Sequence, residues 1–290
     1  MEIRKIKDKT MKVSIQGVAF FNILIVFLIF LFILTNSLKF FHESSMKSFF
    51  FGKDWISLSE IYGLLPLFTG SLSVTLVALV IAVPLSIITA VYISEYASSK
   101  KREYLKIIIE TMAALPSVAL GYIGLYVFSD PIKHYFNLDT GLTSLTGGIM
   151  LAFMAIPTIV SMSDDAIRAL DESYKEASLA LGANKLETIV KVILPGAFPG
   201  IFAGIMLGFG RIMGETMTVL MVTGNSPTLT LSILSPVRTM TATIAAEMGE
   251  VVQGSTHYYA LFAIGFVLFL ISFLTNTLGD YFINKSRKFK

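Results

Sequence analysis

Two ionisable residues stand in a stretch that is otherwise apolar. They are Arg211 and Glu215, within Gly208-Phe209-Gly210-Arg211-Ile212-Met213-Gly214-Glu215-Thr216. A charge placed at the middle of a bilayer costs roughly 2.5–3.5 kcal/mol on insertion scales, so it persists there because it is used. On a continuous helix a spacing of four puts both residues on one face, where they partly neutralise each other. Gly210 and Gly214 repeat that spacing one position earlier and would let another backbone approach alongside. Two readings follow. The pair is a structural clamp between helices, or it is an anion site in which the planar guanidinium fork takes phosphate or another oxyanion. In the second reading the glutamate holds the arginine when no anion is present.

The elements that must position this pair are membrane spans. The chain has 290 residues, is 54% hydrophobic and only 15% charged, well below the quarter usual for a soluble domain. Six blocks carry no Asp, Glu, Lys or Arg: Gly17 to Leu38, Leu64 to Ile93, Thr111 to Ser129, Thr140 to Ser163, Val192 to Gly210 and Val251 to Gly279. Each approaches or exceeds the ~20 residues that cross a bilayer as a helix. Spanning strands would be shorter and would alternate in polarity. The expectation is an all-α integral membrane protein with about six spans, near 17–38, 64–93, 107–128, 145–163, 196–222 and 258–283. A tail at 1–16, a loop at 164–194 and a tail at 284–290 would be cytoplasmic.

Charge distribution supports that orientation. Segments 1–16, 94–106, 164–194 and 284–290 hold 5, 4, 4 and 4 Lys or Arg, whereas 39–63, 129–144 and 223–257 hold 3, 1 and 1. This is the positive-inside bias. It assigns the net charge of +3 to retention and lipid headgroups rather than to nucleic acid. With no cysteine there is no disulfide, thiolate metal site or cysteine nucleophile. The first span is too long for a signal-peptide core and is expected to remain as an anchor. Between the fifth and sixth spans, much of 239–251 reads as helix.

Prolines 84, 116 and 157 are expected to kink the second, third and fourth spans, and Pro199 falls near the start of the fifth. In the cytoplasmic loop, Ser173-Tyr174-Lys175-Glu176 and Asn184-Lys185-Leu186-Glu187 both read as capping boxes. They predict two short helices joined by an elbow at Gly182-Ala183. The second carries an apolar face of Leu186, Ile189, Val190 and Ile193 and ends at Pro195. Such a loop either packs on its own spans or waits for a partner surface. A hydrolase built on His134 or His257 with Asp130 or a serine has no nucleophile motif around it, and a signalling scaffold is compatible with transport.

Two sets of residues resemble a known family. Glu176-Ala177-Ser178, then Gly182, then Val192, Leu194 and Pro195 resemble the "EAA, G, I-x-L-P" loop of ABC importer permeases, with Ser178 and Val192 in place of alanine and isoleucine. The run Gly210 to Met217, with Val219, Leu220, Met221, Gly224 and Asn225, is similar to the phosphate-specific importer permeases of the PstC type. So are Glu110…Ala114-Leu115-Pro116-Ser117-Val118…Gly121, Met240 to Glu250 and His257-Tyr258…Ala260-Leu261-Phe262. The resemblance covers nearly all of 64–283.

It implies a type I ABC importer permease fold that moves inorganic phosphate, or another oxyanion such as molybdate or tungstate, across the plasma membrane of a prokaryote. Glu176, Ala177, Ser178, Gly182 and Ala183 would form the helix that docks the ATPase. The substrate pathway would run by Arg211 and Glu215, with Gly210, Gly214 and Thr216 beside them. The implied partners are a second homologous permease, two ATPase subunits and an extracytoplasmic phosphate-binding protein. The chain has no Gly-rich phosphate loop with Lys, so ATP would be bound by the partner ATPase, with no cofactor or metal held here.

Overall fold

The computed structural model describes the backbone of residues 2–287 and the side chains of 11–282, so part of each basic tail lies outside the described residues. Helices dominate because every backbone N–H and C=O in an apolar run must be satisfied within the run itself. Helix α1 (Glu2–Glu43) is followed by the short α2 (Met46–Phe51), then a two-residue antiparallel pair, β1 (Trp55–Ile56) with β2 (Ile61–Tyr62). Helix α3 (Leu65–Val91) continues through a π-turn at Tyr92–Tyr96. After α4 (Ser99–Ala113) come α5 (Ser117–Ile123), a π-turn at Gly124–Phe128 and α6 (Ser129–Phe136). Helix α7 (Ser144–Arg168) precedes α8 (Glu172–Ala180) and α9 (Lys185–Thr188). A π-turn at Ile189–Ile193 leads directly into α10 (Leu194–Met213). The chain ends with α11 (Met217–Val222), α12 (Met240–Glu247) and α13 (Thr256–Arg287).

Five helical runs are long and apolar enough to cross a membrane: Met11–Glu43, Leu65–Tyr96, Ser144–Arg168, Lys185–Met213 and Thr256–Phe282. The bent pair Ser99–Ala113 and Ser117–Phe136, which turns by 88°, makes a sixth if its two helices count as one span. The continuous third span expected at 107–128 is therefore corrected to a broken one. Pro116 does not kink a helix but caps the start of α5 in an extended conformation. A proline clashes with the residue before it in the helical region, and here α4 ends in a tight turn, with Ala114 and Leu115 N–H donating to Thr111 O (3.2 Å) and Met112 O (3.3 Å). The fifth span, expected at 196–222, is likewise two pieces, with a break at Gly214–Thr216. Pro84, Pro157 and Pro199 lie inside unbroken helices.

Three apolar clusters follow one another along α3. Leu67 joins Phe40, Phe49, Trp55, Met240 and Leu261; Val74, Ala78 and Ala82 join Leu151, Ala155, Ile212 and Val219; Ala90 and Ile93 join Val160, Ile167, Ile189 and Ile201. Helix α10 lies close to α7 through Gly196, Gly200, Gly204 and Gly208. A Cβ at 200 would come within 2.5 Å of Ala166 Cβ, and one at 208 within 2.8 Å of Ile159. This stripe, rather than Gly210 and Gly214, brings α10 against α7 and the Leu170 side chain just past its end. A Cβ at 210 would meet only the Thr275 and Asn276 side chains, at 3.6 and 3.9 Å.

Candidate functional site

The two broken spans meet at their breaks. Thr218 Oγ1, in the first turn of α11, donates to the Ser117 carbonyl at the start of α5 (2.9 Å). Across the other side of the breaks, the Arg211 guanidinium donates to Thr158 Oγ1 on α7 (3.0 Å) and reaches the Ala113 carbonyl, the last residue of α4, at 3.5 Å. Arg211 is thus held by a hydroxyl and a backbone carbonyl, both neutral. Among the described residues no carboxylate oxygen lies within 4.0 Å of it. Gly214, Met217 and the segment Ala114–Pro116 are exposed on the single chain, so this crossing opens to one side.

The expected Arg211–Glu215 pair is not formed. Helix α10 ends at Met213, so the spacing of four no longer places both side chains on one face. Glu215 instead turns inward, 8% exposed, and its Oε1 accepts from the Thr218 backbone N–H (3.2 Å), where it satisfies a free donor at the start of α11. Thr241 Oγ1 on α12 donates to the Glu215 carbonyl (2.6 Å). The cavity beside Glu215 is about 10 Å³, lined by Ser71, Thr75, Met213 and Thr239, which is at the limit for a single water. Thr216 Oγ1 donates to the Gly214 carbonyl (3.3 Å) within the break itself.

The loop that follows α7 is built by local hydrogen bonds. Helix α8 starts two residues earlier than the Ser173 pattern implies. Asp171 is its cap, and Asp171 Oδ1 accepts from the Ser173 N–H (2.9 Å). It ends in a Schellman closure, in which Ala183 N–H donates to Ser178 O (3.2 Å) and Gly182 N–H to Leu179 O (3.0 Å). Gly182 takes φ +88°, a left-handed conformation natural to glycine, in open space. Asn184 and Glu187 form a reciprocal capping box, with both bonds at 2.9 Å. Ser178 and Thr188 hydroxyls lie 2.9 Å apart and tie the two helices together.

Pro195 does not stop the second helix. The wide π-turn before it absorbs the missing N–H, and the helix runs on into α10. The predicted apolar face is split: Ile189 and Ile193 are buried among the spans, whereas Leu186 and Val190 are exposed. With Tyr174, Leu179 and Leu181 they leave an apolar surface uncovered, and no residue of α8 is buried. Glu176, Ala177 and Gly182 lie exposed on this surface.

Among the described residues neither His134 nor His257 makes a hydrogen bond to a hydroxyl group. His257 Nε2 is 2.7 Å from Glu247 Oε2, Arg238 NH1 is 2.7 Å from Glu247 Oε1, and Trp55 Nε1 donates to the same carboxylate. This cluster pins α12 and the outer loop. Tyr62 stacks on His257, and burial, then the Glu60 and Glu247 carboxylates, holds its phenol above the usual range. His134 closes the last turn of α6.

Residues 82–288 match the family of binding-protein-dependent transport system inner membrane components. The chain belongs to that family. It is 38% identical over 226 residues to a probable ABC transporter permease protein, YqgH, of Bacillus subtilis, covering 78% of this chain and 73% of that one. It is 35% identical over 245 residues to the phosphate transport system permease protein PstC of Xylella fastidiosa, covering 78% and 75%. A chain of the MetNI methionine ABC transporter, in an inward-facing conformation, matches in fold, with TM-score 0.54, 17% identity and coverage of 75% and 93%. So does a chain of a bacterial alginate ABC transporter, with TM-score 0.55, 14% identity and coverage of 82% and 86%. The protein is therefore a multi-pass ABC importer permease of the type I fold, and its membrane class and fold agree with the sequence reading.

Residues that sequence reasoning did not single out complete the crossing: Thr158, the Ala113 and Ser117 carbonyls, Thr218 and Thr241. Only Pro116 carried a signal for the break, because the residue before a proline leaves the helical region. The hydroxyls carried none, since Thr is common throughout these spans.

Proposed function

We propose that this permease subunit moves inorganic phosphate into the cytoplasm, together with a second, similar permease, two ATPase subunits and an extracytoplasmic phosphate-binding protein. The observation that carries the reading is Arg211: a guanidinium with no carboxylate partner, at the crossing of two broken spans, in a chain similar to phosphate permeases. A planar fork held by a hydroxyl and one weak carbonyl contact retains free donors for an oxyanion. The open side of the crossing, at Gly214, Met217 and Ala114–Pro116, would be completed by the second permease. Glu215 sets the start of α11 rather than touching the anion, with Gly210, Gly214 and Thr216 forming the wall around the break.

The exposed apolar face of α8 and α9, with Glu176, Ala177, Ser178, Gly182 and Ala183, docks the ATPase, which supplies the ATP site. That loop and both termini are cytoplasmic in this reading, in line with the basic bias of the sequence. A reporter fused after Lys290 reads inside and one within 223–257 reads outside; the same side for both refutes the orientation. The substrate is tested by uptake of labelled phosphate into proteoliposomes holding the full complex, with molybdate and tungstate as competitors. Uptake that ignores phosphate but follows either competitor overturns phosphate.

A further inference from the structure

We infer that Asp164 is the positioning residue that makes the inner half of the broken third span, α4, move with the ATPase-docking loop. The inference rests on the importer reading above and adds to it the part that connects the docking loop to Arg211.

Helix α4 is poorly held by packing. Of its fifteen residues only Ile109 is buried, and the break at Ala114–Pro116 disconnects it from α5. Polar contacts hold it instead. Asp164, 1% exposed near the inner end of α7, accepts from Ser94 Oγ (2.7 Å) and pairs with Lys106 of α4 (2.8 Å), with Arg168 at 3.6 Å. Arg102 of α4 donates Nε to the Ile93 carbonyl (3.0 Å) and NH2 to the Ser94 carbonyl (2.8 Å). Both bonds and the Ser94 hydroxyl converge on the π-turn Tyr92–Tyr96.

The docking loop grips the same π-turn. Lys175 of α8 pairs with Glu95 (2.6 Å), while Lys185 of α9 donates to the Glu95 carbonyl (2.6 Å) and lies 4.0 Å from the centre of the Tyr96 ring. The loop, the π-turn and α4 are thus joined by charge-assisted bonds, with Asp164 touching both of the latter two. The far end of α4 is Ala113, whose carbonyl is one of the two groups on Arg211. A shift of the docking loop that carries α4 with it moves that carbonyl relative to the guanidinium. A buried ion pair adds little net stability over apolar packing, so its use is to specify one arrangement. Here that arrangement is the seating of α4.

The test uses the complete complex in proteoliposomes and reads oxyanion moved per ATP hydrolysed, with whichever oxyanion the wild type carries. Asp164→Asn keeps the acceptor for Ser94 and removes the charge. The expected result is ATP hydrolysis within about twofold of wild type and a coupling ratio at least about tenfold lower. Lys106→Met should behave alike and Lys106→Arg should restore the ratio. An unchanged ratio in both Asp164→Asn and Lys106→Met overturns the inference.

If Asp164→Asn fails to assemble, Lys106→Met decides alone, because that lysine is 36% exposed and its loss leaves Asp164 with Ser94 and Arg168. A second readout is independent of the substrate. The chain has no cysteine, so spin labels placed at Tyr104 on α4 and Leu76 on α3 are unique. One narrow distance in wild type and a broad distribution in Asp164→Asn supports the positioning role; equal widths refute it. A wild-type complex that carries no oxyanion overturns the importer reading, while the label distances still decide the role of Asp164.

Discussion

The loop after α7 and the crossing of broken spans are built on different principles. Within the loop the turns and helix ends are set by bonds between residues close in sequence: Asp171 to Ser173, Ala183 to Ser178, Asn184 to Glu187, while Lys175 and Lys185 reach out to Glu95. At the crossing the bonds join residues far apart: Arg211 to Thr158, Arg211 to Ala113, Thr218 to Ser117, Thr241 to Glu215. The loop is a handle whose internal turns are set locally. The crossing has a shape only while α4, α5, α7, α10, α11 and α12 together hold it.

That contrast can be broken most decisively at Arg211. Arg211→Gln should abolish phosphate uptake, by a hundredfold or more, with membrane abundance close to wild type, because its partners are a hydroxyl and a carbonyl that water can satisfy. Loss of abundance instead of uptake would make the residue a clamp. Gly182→Val comes next. The left-handed φ of +88° becomes a strained conformation worth about 1–3 kcal/mol, with no clash because the space is open. ATPase capture by the purified permease should fall about tenfold while insertion is unchanged; normal capture would remove the elbow from the docking surface.

Smaller effects sharpen the comparison. Glu215→Gln keeps an oxygen for the Thr218 N–H and should leave uptake within about threefold of wild type. Glu215→Ala removes the cap and should cost about 1 kcal/mol or more, read as a lower melting temperature with reduced uptake. Equal loss of uptake in both, at unchanged stability, would return the carboxylate charge to the anion pathway. Asn184→Ala should be mildest. It breaks one capping box for about 1 kcal/mol, so thermal melting shifts slightly and uptake stays near normal. A collapse of the whole permease would show that the loop is not an autonomous handle.

Legibility in the sequence followed the same division. The elbow at Gly182 and the Asn184 capping box could be read because four to six adjacent residues contain the whole interaction. The Ser173 start was misplaced because Asp171 is an equally strong cap and lengthens the helix by two residues. Asp164 was read as the edge of a loop. The first of two adjacent aspartates at the end of a charge-free block carries no mark of a lysine 58 positions earlier.

The chain by itself determined that it is a membrane protein with five to six apolar helical spans, and the shape of the loop after α7. Apolar length, charge asymmetry and capping are properties of short stretches of sequence. Tertiary structure alone decided where two spans break, that Arg211 and Glu215 part company, and which small-residue stripe lets α10 approach α7. The physical reason is that a free carbonyl, a buried guanidinium or a missing side chain acquires its meaning from the helix placed opposite. Thr158, Ala113 and Ser117 come to face the breaks only when α4, α5, α7 and α10 have packed.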